Sequence, residues 1–597
     1  MTKKMRPFLM PVILLFILTN YTFSQQKFYI DLNDRSTNIF TVTLVPDKLT
    51  EKNNIYQFAA TAPGTYQTMN IGSYVKSFEA FDAKDSEITT KHISTNQWAL
   101  SSPRKIKKII YRVADTWNTK VDSDYIYAMS GSVIAKNDVL INGQCVFGYF
   151  EGMQSYPIKV KIDYPKDWLL GTALPLDKDG YYDADTYDKI VDSPILLGKL
   201  TKSNVEIGHT SVDVYTYSAT GMIKSADMVN MLKNILNAEN DFMEGLPVNH
   251  YTFLFHFENM DAGAWEHSYS SEYIFRETPL TDNAREQIKA VVAHEFFHIL
   301  TPLNIHSELV AKFNFVKPVM SQHLWFYEGV TEWAAHILEL RDSLITLQQY
   351  FDVLRDKLFA DDSYKQDLSL IDLSIHSTEM QDQYPNIYMK GALAAGLLDI
   401  RLLKLSHGKR GLREVVHQLS KIYGPKRSFS EKNFFSDFTR LTYPEIADFF
   451  DKYIEHADKL PVKEYYNWLG IDYSELAGFD SSKVSLGIQV RFNKDNKLVV
   501  ENVLDTSPNR GTLLPGDVLE NWDGKEITLS NYTKMLRKTK TLKPGEGLNI
   551  GVLRDGKELD ISAKAGAEAI KHIFKINPNA TPEQINLRNA WLRNLKD

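Results

Sequence analysis

Between residue 25 and about residue 194, apolar and polar positions alternate in short stretches rich in Thr, Val, Ile and Tyr, such as IFTVTLV at 39–45 and KIIYRVA at 108–114. Turn clusters separate them, among them Ala62-Pro63-Gly64 and Asp177-Lys178-Asp179-Gly180. A period of two broken by such turns predicts a domain of β-strands alone. From 195 to 344 the period changes, with strands over 212–217 and 251–257 and a helix over 225–243 between them. Two further stretches keep apolar residues at helical spacing. The first, 281–301, is apolar on most sides through Ile288, Val291, Val292, Phe296, Phe297, Ile299 and Leu300, with Thr281 or Asp282 able to cap it. Such a helix belongs in the middle of a domain. The second, 321–340, repeats through Leu324, Trp325, Val330, Trp333, Ile337 and Leu338. From 345 to 475 the chain is helical, with amphipathic stretches over 347–358, 386–405 and 445–456.

Strands return over 485–490, 498–503, 518–522, 548–553 and 558–563, with a helix over 531–536 and the turn Leu514-Pro515-Gly516-Asp517-Val518. That order is typical of a PDZ domain. The pattern therefore predicts a multidomain α+β chain: an all-β domain (25–194), a mixed α/β domain (195–344), a helical subdomain (345–475), a PDZ domain (478–565) and a tail (566–597). In the tail, Thr581-Pro582-Glu583 is a cap and first-turn signal for a short helix ending near Leu595. Several domains are also what 597 residues require, since single cores stop growing well below that length.

Residues 1–24 follow a different rule. Lys3, Lys4 and Arg6 precede an apolar run over 8–18, and Thr22-Phe23-Ser24 precede Gln25, the layout of a secretory signal cleaved near Ser24/Gln25. The run is too short to span a bilayer, so the expected product is exported, periplasmic or secreted, without an integral membrane span. The single cysteine, Cys145, lies far from that cleavage point, which leaves no lipid anchor there and no intrachain disulfide; a plain buried thiol is expected. Lys and Arg number 68 against 75 Asp and Glu, with no basic run interleaved with aromatics, so nothing points to a nucleic-acid surface.

The chemistry concentrates in the 281–301 helix, which contains HEFFH. His294 and His298 are four apart, so both imidazoles leave one helix face and can share a small cation. Glu295 is rotated about 100° from His294, within reach of a water beside that cation without being a ligand. A catalytic zinc takes three protein ligands and keeps one position open. A third histidine at metzincin spacing would fall on Asn304, so the ligand must come from elsewhere. The 321–340 helix supplies Glu328 and Glu332 one turn apart; Glu328 is taken as the ligand and Glu332 as a solvated face. Between strand and helix, Asp261 to His267 reads as a loop in which Gly263 lets a ligand approach the backbone and Glu266 is available for a substrate's free amino group.

Three motifs in order, HEFFH, LWFYEGVT at 324–331 and IYMKGALAAGLLDI at 387–400, resemble those of the glycyl aminopeptidase family of zinc metallopeptidases. Members are similar to thermolysin-type gluzincins and to aminopeptidase N, with an N-terminal β domain, a gluzincin domain, a helical domain and a PDZ domain. The resemblance implies one zinc per chain held by His294, His298 and Glu328, Glu295 as general base and Tyr388 as the tyrosine that steadies the oxyanion. GAWEH at 263–267 resembles the family's GLEH segment, which implies that Glu266 binds the N-terminal amine and that Gly263 belongs to the same substrate site. After HEFFH the family commonly has a Trp-Asn pair and then a run containing Lys and Arg. Here ILTPLNIH follows, with no Lys or Arg before Lys312, and the family's glycine preference is not carried over.

The expected activity is thus removal of N-terminal residues from peptides. A zinc endopeptidase, or a PDZ-mediated peptide-binding protein on an inactive peptidase scaffold, are the alternatives. In a PDZ domain, the backbone at Ser485, Leu486, Gly487 and Ile488 would capture the carboxylate of a C-terminal peptide ligand added beside the strand.

Overall fold

The computed structural model describes residues 25–121, 125–493 and 495–593. The predicted signal segment lies outside them. The N-terminal domain is all-β apart from short helical turns, as the alternation requires: Gln26–Asp31 and Ile39–Val45 bury nearly every second side chain. Their inward residues, Phe28, Phe40 and Val42, are fully buried with Tyr56, Phe58 and Tyr111. A seven-stranded sheet runs Tyr182–Ala184, Ile158–Asp163, Gln26–Asp31, Ile39–Val45, Lys108–Ala114, Val75–Phe81, Glu87–Ile88, and two four-stranded sheets complete the domain. Cys145 is fully buried and its thiol donates to the Ser130 carbonyl at 3.2 Å.

The central α/β domain opens with a five-stranded sheet in the order Thr201–Ile207, Thr210–Ser218, His250–Glu258, Ser270–Arg276, Gly263–His267. The Ser225–Phe242 helix makes the crossover between the parallel strands Thr210–Ser218 and His250–Glu258. Phe296 on the Asp282–Phe297 helix packs its ring against Tyr251 (4.8 Å) and Phe253 (5.4 Å), which seats that helix on the sheet. Thr281 is its cap, accepting from the Ala284 amide at 3.3 Å. The segment expected as a loop differs: Gly263–His267 is an edge strand, antiparallel to Ser270–Arg276 with Trp265 opposite Glu272. Its pairing is made with the strand that follows it, across a two-residue turn, and no alternation in GAWEH announces it.

The helices Leu347–Asp361, Asn386–Leu405 and Leu412–Ile422 share one continuous core with this domain. The predicted 321–340 helix begins instead as a π-helical turn, Trp325–Gly329, and continues as Val330–Arg341.

The tail is more than a helix. Gly566–Ile576 pairs antiparallel with Ile471–Ser485 in a two-stranded ribbon, and Pro582–Arg593 packs back on the helical core. Trp591 is buried and its carbonyl accepts from Arg341 Nε at 2.9 Å. Asp362 fixes the ribbon by accepting from Lys571 Nζ and from His572 Nε2. A strand whose partner is some ninety residues earlier leaves little local trace, so the tail reads as unstructured before its cap signal. The PDZ domain between the ribbon strands is β apart from the Tyr532–Thr539 helix, in the order Ile488–Phe492, Leu498–Val503, Val518–Trp522, Gly547–Arg554, Lys557–Lys564. The strand expected over 485–490 is broken by Gly487 at φ +65°, and its second half, Ile488–Phe492, is an edge strand. Among the described residues, no helix is long and apolar enough to cross a membrane.

Candidate metal centre and active site

His294, Glu295 and His298 occupy the last turn of the Asp282–Phe297 helix and its C-cap. Glu328 faces them from the π-helical turn. Gly329 and Gly391 explain how the third motif arrives beside the second: a Cβ on Gly329 would lie 2.6 Å from Gly391 Cα and C. Only glycine at both positions lets the two helical backbones touch, and that contact brings Tyr388, one turn before Gly391, to the same site.

His294 Nε2 lies 3.3 Å and His298 Nε2 3.5 Å from Glu328 Oε2, and the ligand atoms of the three residues all fall within 4.8 Å of one another. The far nitrogens are occupied. His294 Nδ1 is 2.8 Å from Glu332 Oε2, and His298 Nδ1 is 2.8 Å from the Thr301 carbonyl. An N–H at each Nδ1 donates to those acceptors, so each Nε2, facing Glu328, is the nitrogen left to bind a metal in place of a proton. Charge agrees with geometry. Burial opposes protonation of His294 and His298, yet hydrogen bonds donated to Glu328 and Glu332 raise His294 well above its ordinary value, and Glu328 and Glu266 raise His298 to about 9. Glu328, despite burial, is held far below the carboxylate range by His298 and His294. Several carboxylates are thus buried around two imidazoles that must take up protons to balance them. A divalent cation among the two Nε2 atoms and Glu328 answers the same deficit, so the residues fit a zinc ion.

Glu332 corrects the sequence reading. It is no solvated face: its side chain retains 16% exposure, and it joins His294 to Lys357 Nζ and His336. Tyr66 and Tyr384 are also new to the site. Tyr66, from the N-terminal domain, donates to Glu328 Oε1 at 2.9 Å, and the Tyr384 and Tyr388 hydroxyls are 2.6 Å apart. Nothing local marks Tyr66, whereas Tyr384 stands one helical spacing before Tyr388 and was visible in principle.

The site opens on a cleft of about 440 Å³ lined by Glu266, Glu295, Tyr66, Tyr384, Tyr388 and Gly263 among others. Glu266, Glu295 and His298 offer atoms within 4.8 Å of one another. Burial pushes Glu266 up to about 8; His298 offsets this, while Glu295 and Glu328 add to it. Burial likewise raises Glu295 against the pull of His294 and His298. Tyr388 is raised well above its ordinary value by burial and then by Glu328, so it is held as a hydroxyl donor. Gly263 lines the cleft, but its missing Cβ makes room for Met129, whose Sδ would otherwise stand 2.9 Å away. Ser485 to Ile488 lie in the PDZ domain and do not line this cleft.

The sequence model of the Peptidase M61 N-terminal domain matches residues 27–199, that of the M61 glycyl aminopeptidase matches residues 287–393, and that of the PDZ domain matches residues 484–565. The chain belongs to the M61 glycyl aminopeptidase family. In this M61 peptidase the matched central region contains His294, Glu295, His298, Glu328 and Tyr388. Its fold is similar to that of an aminopeptidase N family protein from Idiomarina loihiensis, at 20% identity and a TM-score of 0.78 over 95% of this chain and 100% of that one. An M1 zinc metallopeptidase from Deinococcus radiodurans aligns at 12% identity and a TM-score of 0.45, over 74% of this chain and 96% of that one. A curated relative from Hahella chejuensis, named "Probable periplasmic serine endoprotease DegP-like", is 28% identical over 133 residues. That match takes in 22% of this M61 peptidase and 27% of the relative's length.

Proposed function

We propose that this M61 peptidase is an exported zinc-dependent aminopeptidase that removes residues one at a time from the amino end of peptides. The observation that carries the reading is Glu266: a buried carboxylate, raised by burial, within 4.8 Å of Glu295 and His298. Such a group needs a cationic partner, and a substrate's α-ammonium supplies one. With the ammonium on Glu266, the first peptide bond, and no later one, lies beside Glu295.

His294, His298 and Glu328 would hold a zinc ion, with Glu332 and the Thr301 carbonyl orienting the two imidazoles. A zinc ion bound there activates water and polarises a peptide carbonyl as a Lewis acid. Glu295 takes the proton of the attacking water and returns it to the departing amine, the role for which its raised affinity for a proton suits it. Tyr388, kept protonated, donates to the carbonyl oxygen as negative charge develops, with Tyr384 fixing its hydroxyl. Export rests on the pattern of residues 1–24. The exposed edge of Ile488–Phe492, facing Tyr532–Thr539 through the Phe492–Tyr532 ring contact at 4.9 Å, supports capture of a peptide's C-terminal end by the PDZ domain.

The test compares one peptide with its amino end free and the same peptide acetylated, followed by mass spectrometry with wild type, Glu295→Gln and Glu266→Ala. Stepwise loss from the free peptide alone, abolished by Glu295→Gln and weakened by Glu266→Ala, is expected. Internal cuts in both peptides would identify an endopeptidase, and the absence of any cleavage would leave the PDZ-mediated binding protein.

A further inference from the structure

Beside the catalytic cleft lies a second cavity, of about 100 Å³. Gly64, Tyr66 and Glu266 line both, so the cavity adjoins the cleft at these three residues. Four separate segments build it. The N-terminal domain contributes the loop around Gly64 and, further on, Val191 and Asp192, the edge strand contributes Trp265 to His267, and the stretch after HEFFH contributes Leu303, Leu309, Val310, Phe313 and Met320. Two contacts hold them together. Gly64, at φ +72°, passes so close to the edge strand that a Cβ there would lie 2.7 Å from Glu266 Oε1 and from Trp265 Nε1. The Ala60 amide donates to the Phe315 carbonyl at 2.7 Å, which ties the stretch after HEFFH to the same loop.

Most polar groups of the wall are spent on the wall itself; His267 Nε2 is buried without a hydrogen-bond partner among the described residues. The Thr61 hydroxyl donates to the Gln67 carbonyl, Ser321 donates to Glu431, and the Tyr327 hydroxyl accepts from the Ser307 amide. Trp265 Nε1 donates to the Pro63 carbonyl. Asp192 accepts from the Ser268 amide at 2.9 Å and faces Lys189 Nζ at 3.5 Å and His267 Nδ1 at 3.7 Å, so its charge is already answered. A guest is therefore offered a mainly apolar surface, with Glu266 and His267 Nε2 the polar groups left to it.

In a peptide the first α-carbon is bonded both to the amine and to the carbonyl that is cut. With the amine on Glu266 and the carbonyl at the His294–His298–Glu328 cluster, the side chain leaves that carbon beside Glu266, a residue the cavity shares with the cleft. We propose that this cavity receives the side chain of the substrate's N-terminal residue and selects large apolar ones, such as leucine, methionine and phenylalanine, over glycine and alanine. The proposal rests on the aminopeptidase reading above. A dry apolar cavity of about 150 Å³ is large enough to bind benzene, so a cavity of this order suits a branched aliphatic or aromatic group, while glycine leaves it empty. The stretch ILTPLNIH after HEFFH supplies part of this wall, Pro302 and Leu303.

The test is a series of peptides identical except for a first residue of Gly, Ala, Leu, Phe, Asp or Arg, with an acetylated Leu peptide as control, on the zinc-loaded full chain. One methylene in an apolar pocket is worth roughly 10- to 200-fold in kcat/KM, so Leu and Phe are expected to exceed Gly by at least about tenfold. Fastest removal of Gly, Ala, Asp or Arg, with the acetylated peptide untouched, would overturn the pocket assignment and leave the aminopeptidase reading standing. Equal cleavage of the acetylated peptide, or none of any peptide, would overturn both. Val310→Trp, which fills the cavity, is expected to lower the Phe-to-Ala ratio of kcat/KM at least about tenfold. An unchanged ratio in a folded variant would count against the proposal. Should that variant not fold, Val310→Ala enlarges the same wall and must move the ratio the other way, and the wild-type series stands without either.

Discussion

Two clusters in this molecule combine histidine with carboxylates at nearly the same spacing. In the first, Glu328 sits 3.3 Å and 3.5 Å from the Nε2 atoms of His294 and His298. In the second, His256 Nε2 lies 3.4 Å from both Asp138 and Glu258. What surrounds each one differs. The first cluster has both distal nitrogens tied, to Glu332 and to the Thr301 carbonyl, and looks into a cleft with Glu295, Glu266 and Tyr388. The second has one imidazole held between Trp117 and Tyr217, with no hydrogen-bond partner for His256 Nδ1 or Asp138 Oδ2 among the described residues. Asp138 belongs to the N-terminal domain and His256 to the peptidase sheet, so the second cluster is a buried polar seam between domains. Composition and distance alone do not make an active site. Fixed tautomers and open space beside the ligands do.

The strongest way to break this contrast is Glu295→Gln. Losing the proton acceptor should lower kcat by about 10²- to 10⁴-fold with metal content intact, measured by turnover alongside metal analysis. Removing the imidazole of the second cluster should act on stability instead. His256→Ala leaves Asp138 buried without that neighbour and should cost about 1–3 kcal/mol in urea unfolding, while zinc stoichiometry stays that of wild type; a fall in zinc content would erase the distinction. Glu332→Gln sharpens it from the other side. With the orienting carboxylate gone, zinc affinity should drop roughly 10- to 100-fold in competition with a chelator, although Glu332 is no ligand.

The smallest effect concerns pH. Burial raises Asp138 above its ordinary value, with His256 and Tyr217 partly offsetting it. The folded state therefore binds the proton more tightly than the unfolded one. That contribution to stability is full below the ordinary carboxylate pKa and is lost as pH rises through the raised one. Unfolding midpoints of wild type and Asp138→Asn across the acid range should converge in slope only after that window, and parallel curves throughout would show that Asp138 is not the titrating group.

Much of this was legible in the chain. The alternation in IFTVTLV and KIIYRVA predicts strands that the structure has with the same bounds, because burying one face of a sheet forces a period of two. The 386–405 helix likewise agrees end to end. His294, His298 and Glu295 follow from spacing within one helix, a matter of local geometry. Glu332 was misread because a charged residue in a helix looks the same in sequence whether it faces water or an imidazole. Tyr66 lies 262 residues before the carboxylate it contacts, and no periodicity carries such a pairing.

Residue spacing along the chain was enough for the element types, the order of the domains and the pair of histidines, since each depends on neighbours within a few turns. Convergence was a matter of packing. The Gly329–Gly391 contact delivers Tyr388, the edge strand turns Glu266 toward Glu295, and the loop at Gly64 closes an apolar cavity with residues more than two hundred positions away. These relations arise only when separate layers bury their apolar faces against one another, and that burial sets which polar side chains are left facing the cleft.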